Sequence, residues 1–192
     1  MFTEWGKAFV KLPEIKILEE FDPAIRKICS EVVFPLSRKE KQLLKDMMVH
    51  LEMSQIPEYS EKYNLRAGMG LAFPQVGVLK RAFVIVSEND EKSFDYYVVI
   101  NPKIKSMSEE IVYVGEGEGC LSINRETKGI VPRHARISVE AYDMDGKLYQ
   151  IRVREEIAIA FQHEIDHLDG ILFIDRIDSN NPFKNAELYR EI

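Results

Sequence analysis

The apolar positions along the chain change period several times, and each change marks an element. Asp22-Pro23 reads as an N-cap followed by proline at the first helical position, opening a short helix through Ile25 and Arg26. Ser37-Arg38-Lys39-Glu40 fits the capping box, in which serine and glutamate satisfy each other's free backbone N–H groups. Behind it Leu44, Met47, Met48 and Leu51 recur at helical spacing and form a core-facing stripe. Residues 56–66 are polar and aromatic, and predict an inserted loop with a turn of helix.

From residue 81 to 114 the pattern shifts to short β-rich runs at 82–86, 96–100 and 111–114. Asn101-Pro102 and a polar stretch around 88–92 punctuate them. Residues 137–142 and 148–153 flank Asp143-Met144-Asp145-Gly146, a hairpin signal because Asp-Gly suits a tight turn between paired strands. Residues 155–168 return to helical period, with Ile157, Phe161, Ile165 and Leu168 on one side and Gly170 as the stop. Residues 171–174 predict one more short strand, and the tail after Asp178 is polar. Consecutive strands with helices at both ends predict an α+β fold. With no repeat and no linker, residues 1–192 are expected to form a single domain.

Composition narrows the classes. A 192-residue chain with 45% hydrophobic and 30% charged residues is ordinary for a soluble globular protein. A net charge of −6 argues against a large nucleic-acid footprint, which needs clustered Lys and Arg, so no direct nucleic-acid binding is expected. Apolar runs such as 82–86 are far too short to span a bilayer. The N-terminus is broken by Glu4, Lys7, Lys11 and Glu14, unlike a secretory signal. Two cysteines, Cys29 and Cys120, make no disulfide framework, and a reducing cytoplasm is the expected location.

The chemistry concentrates at His163-Glu164-Ile165-Asp166-His167. Histidines at i and i+4 of a helix point from one face, about one turn apart, so both imidazoles can reach one ion. Glu164 can reach a water on that ion without being a ligand, taking its proton and later handing it to a leaving group. Asp166 and Asp169 either orient the helix or face solvent. The plainer alternative is a solvated helix face. Against it stand the coherent apolar side of the helix and the commitment of two of only four histidines to the pattern.

A catalytic site calls for three protein ligands and an open position. Cys120, His50 and His134 are the candidates for the third. His50 lies on the exposed edge of a Met/Leu-rich helix and reads as a surface or partly buried histidine. His134 sits between Arg133 and Arg136, whose charge disfavours a cation. Cys120 follows Gly-Glu-Gly-Glu-Gly, a backbone that bends sharply and exposes the N–H groups of Cys120 and Leu121. As a free cysteine it fits a small buried hydrophobe equally well.

Three segments together carry a resemblance. Gly68-Met69-Gly70-Leu71-Ala72-Phe73-Pro74-Gln75, Glu118-Gly119-Cys120-Leu121-Ser122 and Gln162-His163-Glu164-Ile165-Asp166-His167 resemble, in order, the three signature motifs of the peptide deformylases. The insertion at 56–66 resembles the variety common in Gram-positive bacteria and mycoplasma-like organisms. The resemblance implies mixed and antiparallel sheets around a central helix carrying the His-Glu-x-x-His motif. It also implies removal of the formyl group from the N-terminal formyl-methionine of newly made proteins, with release of formate.

Cys120, His163 and His167 would then hold the metal, usually Fe²⁺ and replaceable by Ni²⁺, Co²⁺ or, less actively, Zn²⁺. Glu164 would carry the proton to the departing amine. Gln75 and the Leu121 N–H would stabilise the oxyanion, both being donors that can be aimed at developing charge. The substrate would lie extended beside residues 68–71, pairing with main-chain groups near Gly70. Met69 and Ile159 would help wall a methionine pocket. Nascent formyl-methionyl chains are the expected partners, with the ribosome a further candidate and no membrane.

One position departs from the family pattern. Phe73 stands where the family usually has alanine, so either a core has made room for the ring or the cleft is altered. Two rival readings are a zinc peptidase built on the same helical motif and a non-catalytic peptide-binding relative. The first normally takes a downstream His or Glu as third ligand, and no histidine follows His167. The second has no use for a proton carrier such as Glu164.

Overall fold

A computed structural model describes residues 11–192; most of the N-terminal segment read above as unlike a secretory signal lies outside the described residues. Asp22 caps a 3₁₀ turn at Pro23–Arg26 by accepting from the Ala24 N–H at 2.9 Å. Helix α1 spans Arg38–Gln55 behind the predicted capping box: the Glu40 N–H donates to Ser37 Oγ (3.2 Å) and the Ser37 N–H to Glu40 Oε2 (2.8 Å). The inserted segment is more helical than the sequence suggests, since α2 runs over Pro57–Tyr63 with proline at its head.

Five strands form one antiparallel sheet: β1 (Gly70–Ala72), β2 (Ala82–Glu88), β3 (Phe94–Met107), β6 (Arg136–Tyr142) and β7 (Leu148–Arg154), in the order β1-β2-β3-β6-β7. A second sheet orders β5 (Arg133–His134), β4 (Ile111–Tyr113) and β8 (Arg190–Glu191), with β4 antiparallel to β5 and parallel to β8. Helix α3 covers Glu155–Leu168, the predicted span, and packs on β1, β2, β5 and β7. The architecture is α+β, with antiparallel and mixed sheets around α3.

The continuous apolar run 82–86 is explained by burial on both faces of β2. Phe83 and Ile85 join Val99, Val139 and Phe161 in the core beneath α3, where Phe83 and Phe161 meet edge to face at 5.4 Å. Ala82, Val84 and Val86 point the other way, into a core shared with Leu44, Met47 and Leu51 of α1. Phe73 is fully buried in this second core, so its ring fills space under α1 and stays out of the cleft.

Two expectations are corrected. Residues 171–174 form no strand; Phe173–Arg176 is a 3₁₀ turn, closed by Asp175 Oδ2 accepting from the Leu172 N–H at 2.8 Å. Asn101-Pro102 does not end its strand either, because β3 continues to Met107 through register shifts between Ile100 and Lys103 and between Ile104 and Ser106. The bulge leaves Asn101 free to grip the Val32 backbone, accepting from its N–H (2.8 Å) and donating to its carbonyl (3.0 Å).

Candidate metal centre

Helix α3 turns Ala158, Phe161 and Leu168 into the core and carries His163, Glu164 and His167 at buried positions. The two imidazole centroids are 5.0 Å apart, as one helical turn requires. The turn after β4 brings Cys120 to them, with Sγ 3.3 Å from His167 Nε2. Ligand atoms of Cys120, His163 and His167 all lie within 4.8 Å of one another. One sulfur and two nitrogens at this spacing suit a tetrahedral ion with a fourth position open.

His134 is elsewhere, on β5, with Nδ1 2.7 Å from the Ser108 carbonyl. His50 is buried on α1 and held in its neutral form by that burial, so it is neither a surface residue nor part of this group. Cys29 is a free buried thiol, pushed up to about 11 by burial despite Arg81 nearby.

Buried ion pairs hold the ligands in place. His163 Nδ1 meets Glu118 Oε2 at 2.8 Å, which leaves Nε2 for an ion. Arg133 grips Glu118 with two parallel bonds of 2.7 and 2.9 Å and reaches Asp166 Oδ2 at 2.6 Å. Asp166 in turn accepts from Arg176 Nε at 2.6 Å. Burial opposes the charge on Glu118, yet its bonds with Arg133 and His163 outweigh that and hold it at about 2. Burial likewise opposes a proton on His163, but hydrogen bonds with Cys120 and Glu118 override it and hold the ring well above its ordinary value. His167 goes the other way, kept neutral by burial and by the positive charge of His163 and Arg133. A cation in the site would take the place of the His163 proton.

Asp166, for which the sequence allows either orienting the helix or facing solvent, is buried and bonded to Arg133 and Arg176, and so orients it. Glu118 and Arg133 were not expected to take part. Glu118 stands in the second of the three segments that carry the resemblance, two positions before Cys120, while Arg133 signals only that an arginine needs a partner. Asp169 faces the surface and pairs with Arg81.

Glu164, like His167 at its Nδ1, has a buried atom without a hydrogen-bond partner among the described residues. Burial raises it to about 7, with the positive charge of His163 pulling the other way, and Oε2 has no hydrogen bond among the described residues. Gly70 lies against this carboxylate: a Cβ there would come within 2.9 Å of Glu164 Cγ. Gln75 is buried, its Oε1 accepting from the Ala72 N–H (2.7 Å) while Nε2 reaches Ser122 Oγ (3.1 Å) and Cys120 Sγ (3.6 Å). Cys120 to Ile123 form a tight turn closed by the Ile123 N–H on the Cys120 carbonyl at 3.1 Å, and the Leu121 N–H has no partner among the described residues. These groups surround a cleft of about 330 Å³ whose walls include Met69, Gly70, Leu121 and Ile159. Strand β1 is the edge of its sheet, and Gly70 at its start borders the cleft, while the Ala72 N–H is already taken by Gln75.

The family model described as polypeptide deformylase matches residues 15–183. A peptide deformylase of Levilactobacillus brevis is 49% identical over 174 residues, covering 89% of this chain and 94% of that protein. One from Shouchella clausii is 45% identical over 169 residues, covering 88% and 92%. Among solved structures, the Thermotoga maritima peptide deformylase aligns with a TM-score of 0.68 at 31% identity, covering 85% of this chain and 97% of that one. A class I type b peptide deformylase from Acinetobacter baumannii, solved with Met-Ala-Ser bound, aligns with a TM-score of 0.68 at 27% identity, covering 87% and 100%. Motifs, fold and the Cys/His/His group thus agree with a match over most of the chain, and the chain belongs to the peptide deformylase family.

Proposed function

We propose that this protein removes the formyl group from the N-terminal formyl-methionine of newly made proteins and releases formate, with residues 1–192 working as one catalytic unit. The observation that carries the reading is the convergence of three ligand atoms within 4.8 Å, beside a buried carboxylate that lacks a partner. Cys120, His163 and His167 would hold the ion, Fe²⁺ in this reading, with Ni²⁺, Co²⁺ or Zn²⁺ as substitutes. When bound, such an ion supplies a Lewis acid and makes a water acidic enough to attack near neutral pH.

The chain's own residues then do the rest. Glu164 takes a proton from the attacking water as its oxygen bonds to the formyl carbon. As the carbon–nitrogen bond breaks, Glu164 gives that proton to the departing amine, leaving a free methionine N-terminus and formic acid, which loses the second water proton to solvent as formate. The Leu121 N–H and the Gln75 amide donate to the oxygen on which charge collects, provided Gln75 Nε2 turns from its neighbours Ser122 and Cys120. The open edge of β1 receives the peptide backbone near Gly70, which lets many sequences bind through shared main-chain bonds. Met69 and Ile159 wall the space for the methionine side chain.

Support for this substrate class comes from the Acinetobacter relative, which was solved with Met-Ala-Ser, a peptide that begins with an unformylated methionine. Nascent chains as substrate place the protein in the cytoplasm and near the ribosome in this reading. No described helix is long and apolar enough to cross a membrane. The test is to incubate the metal-loaded protein with formyl-Met-Ala-Ser and with unformylated peptides. Formate from the first and no cleavage of the second is expected; internal cleavage without formate would sink the reading.

A further inference from the structure

Arg66 closes the inserted segment that carries α2, and its guanidinium lies over the turn that presents Cys120. Nη2 donates to the carbonyls of Cys120 and Ile123, each at 3.0 Å, and Nη1 bonds the Asn124 side chain and stands 3.5 Å from the Leu121 carbonyl. All of these acceptors are neutral, although Arg66 also borders the cleft.

The bond to Cys120 has a particular consequence. The Cys120 carbonyl and the Leu121 N–H belong to one planar trans peptide, at opposite ends of it. The Ile123 N–H already bonds this carbonyl at 3.1 Å, and the charged donor adds a second restraint on the plane in which the N–H points. It also draws electron density toward the oxygen, which makes the N–H a stronger donor, because hydrogen bonds in series polarise one another. The same stretch of chain braces the turn from the other side: a Cβ on Gly68 would lie 2.8 Å from Leu121 Cδ1. Gly68 is itself fixed by Ser54 and Gln55 of α1, through bonds of 3.2 and 3.0 Å.

We propose that Arg66 is a positioning residue for the reaction, orienting and polarising the Cys120–Leu121 peptide so that the Leu121 N–H meets the developing oxyanion. The inference rests on the role given to the Leu121 N–H above. Loss of a whole oxyanion donor costs about 10²–10³ in kcat, and weakening one by the roughly 10–30% that a neighbouring bond contributes predicts a loss of about two- to sevenfold.

The test compares Arg66→Met, Arg66→Gln and Arg66→Lys with the parent protein, all loaded with Zn²⁺. The readouts are kcat and KM on formyl-Met-Ala-Ser, metal content, and the Leu121 amide nitrogen resonance. Arg66→Met should lower kcat about two- to sevenfold, leave KM and metal content near the parent values, and move the resonance upfield. Arg66→Lys, which keeps the charge, should recover most of both effects. If Arg66→Met does not fold, the order parent, Lys, Gln in kcat and in resonance position carries the prediction. A variant that loses only thermal stability, or one that raises KM alone, would overturn the proposal in favour of a loop anchor or a substrate contact. A parent protein that releases no formate would defeat the proposed function instead, while the resonance series would still report the coupling between Arg66 and the peptide.

Discussion

Arg133→Met tests whether the buried ion pairs are what hold the candidate ligands in register. Arg133 is 3% exposed and makes three charge-assisted bonds, two to Glu118 and one to Asp166. Asp166 keeps Arg176 when Arg133 is removed, but Glu118 keeps only His163. Removing one partner from a buried pair costs about 3–5 kcal/mol, because an uncompensated charge is left behind. With Asp166 still paired, the lower half of that range is expected. For a chain of this length that is a fall in Tm on the order of 10 °C. Glu118 keeps its bond to His163 but is no longer fixed itself, so the ring is held less rigidly and metal affinity should fall by about 10–100-fold. Urea unfolding of the metal-loaded protein and competition with a chelator measure the two effects. The charge-balanced double variant, Glu118→Gln with Arg133→Met, should recover part of the stability but not the metal affinity. A single variant within about 1 kcal/mol of the parent, below the range for a broken buried pair, would refute this account of the network.

Gly70→Ala places a methyl against the Glu164 carboxylate and should lower kcat by about 10²-fold if Glu164 is the proton carrier, with metal content unchanged, as steady-state kinetics and metal analysis would show. Phe73→Ala should cost about 3–5 kcal/mol in urea unfolding by opening a cavity under α1, while kcat at 25 °C stays within a few-fold of the parent because the ring does not face the cleft. Glu40 is held at about 2, below its ordinary 4.5, by Lys80 and then by Ser37. A carboxylate depressed in the folded state adds stability above its unfolded value and loses it as pH falls through the folded one. The stability gap between the parent and Glu40→Ala should therefore be full at pH 7, shrink below about 4.5 and close near 2, as denaturation series at stepped pH would record.

Local rules made the long elements legible. The Ser37 capping box, the 3.6-residue stripe of α1 and the full span of α3 follow from neighbours within one or two turns, and the Asp-Gly hairpin from four residues. Strands β5 and β8 were not legible because each has only two residues, too few to show a period, and the Gly-Leu-Ala of β1 lacks the β-branched and aromatic residues that mark the equally short β4. The β-branched composition of residues 171–174 suggested a strand, but a side-chain cap from Asp175 closed a turn there instead. At the site, His163, Glu164 and His167 were visible because one helical turn brings them together. Cys120 needed the resemblance to choose between ligand and buried hydrophobe. Glu118 and Arg133 are fifteen residues apart, and Arg66 is far from its acceptors in sequence, so only the folded chain pairs them.

The most direct test of the central claim is one sample of Glu164→Ala in which bound metal and formate release are measured together. If Cys120, His163 and His167 hold the ion and Glu164 moves the proton, metal stoichiometry should match the parent. Formate release from formyl-Met-Ala-Ser should fall by about 10²–10⁴-fold. Turnover at the parent rate with metal still bound would contradict the role of Glu164. Loss of the metal from this variant would contradict the division of labour between ligands and proton carrier.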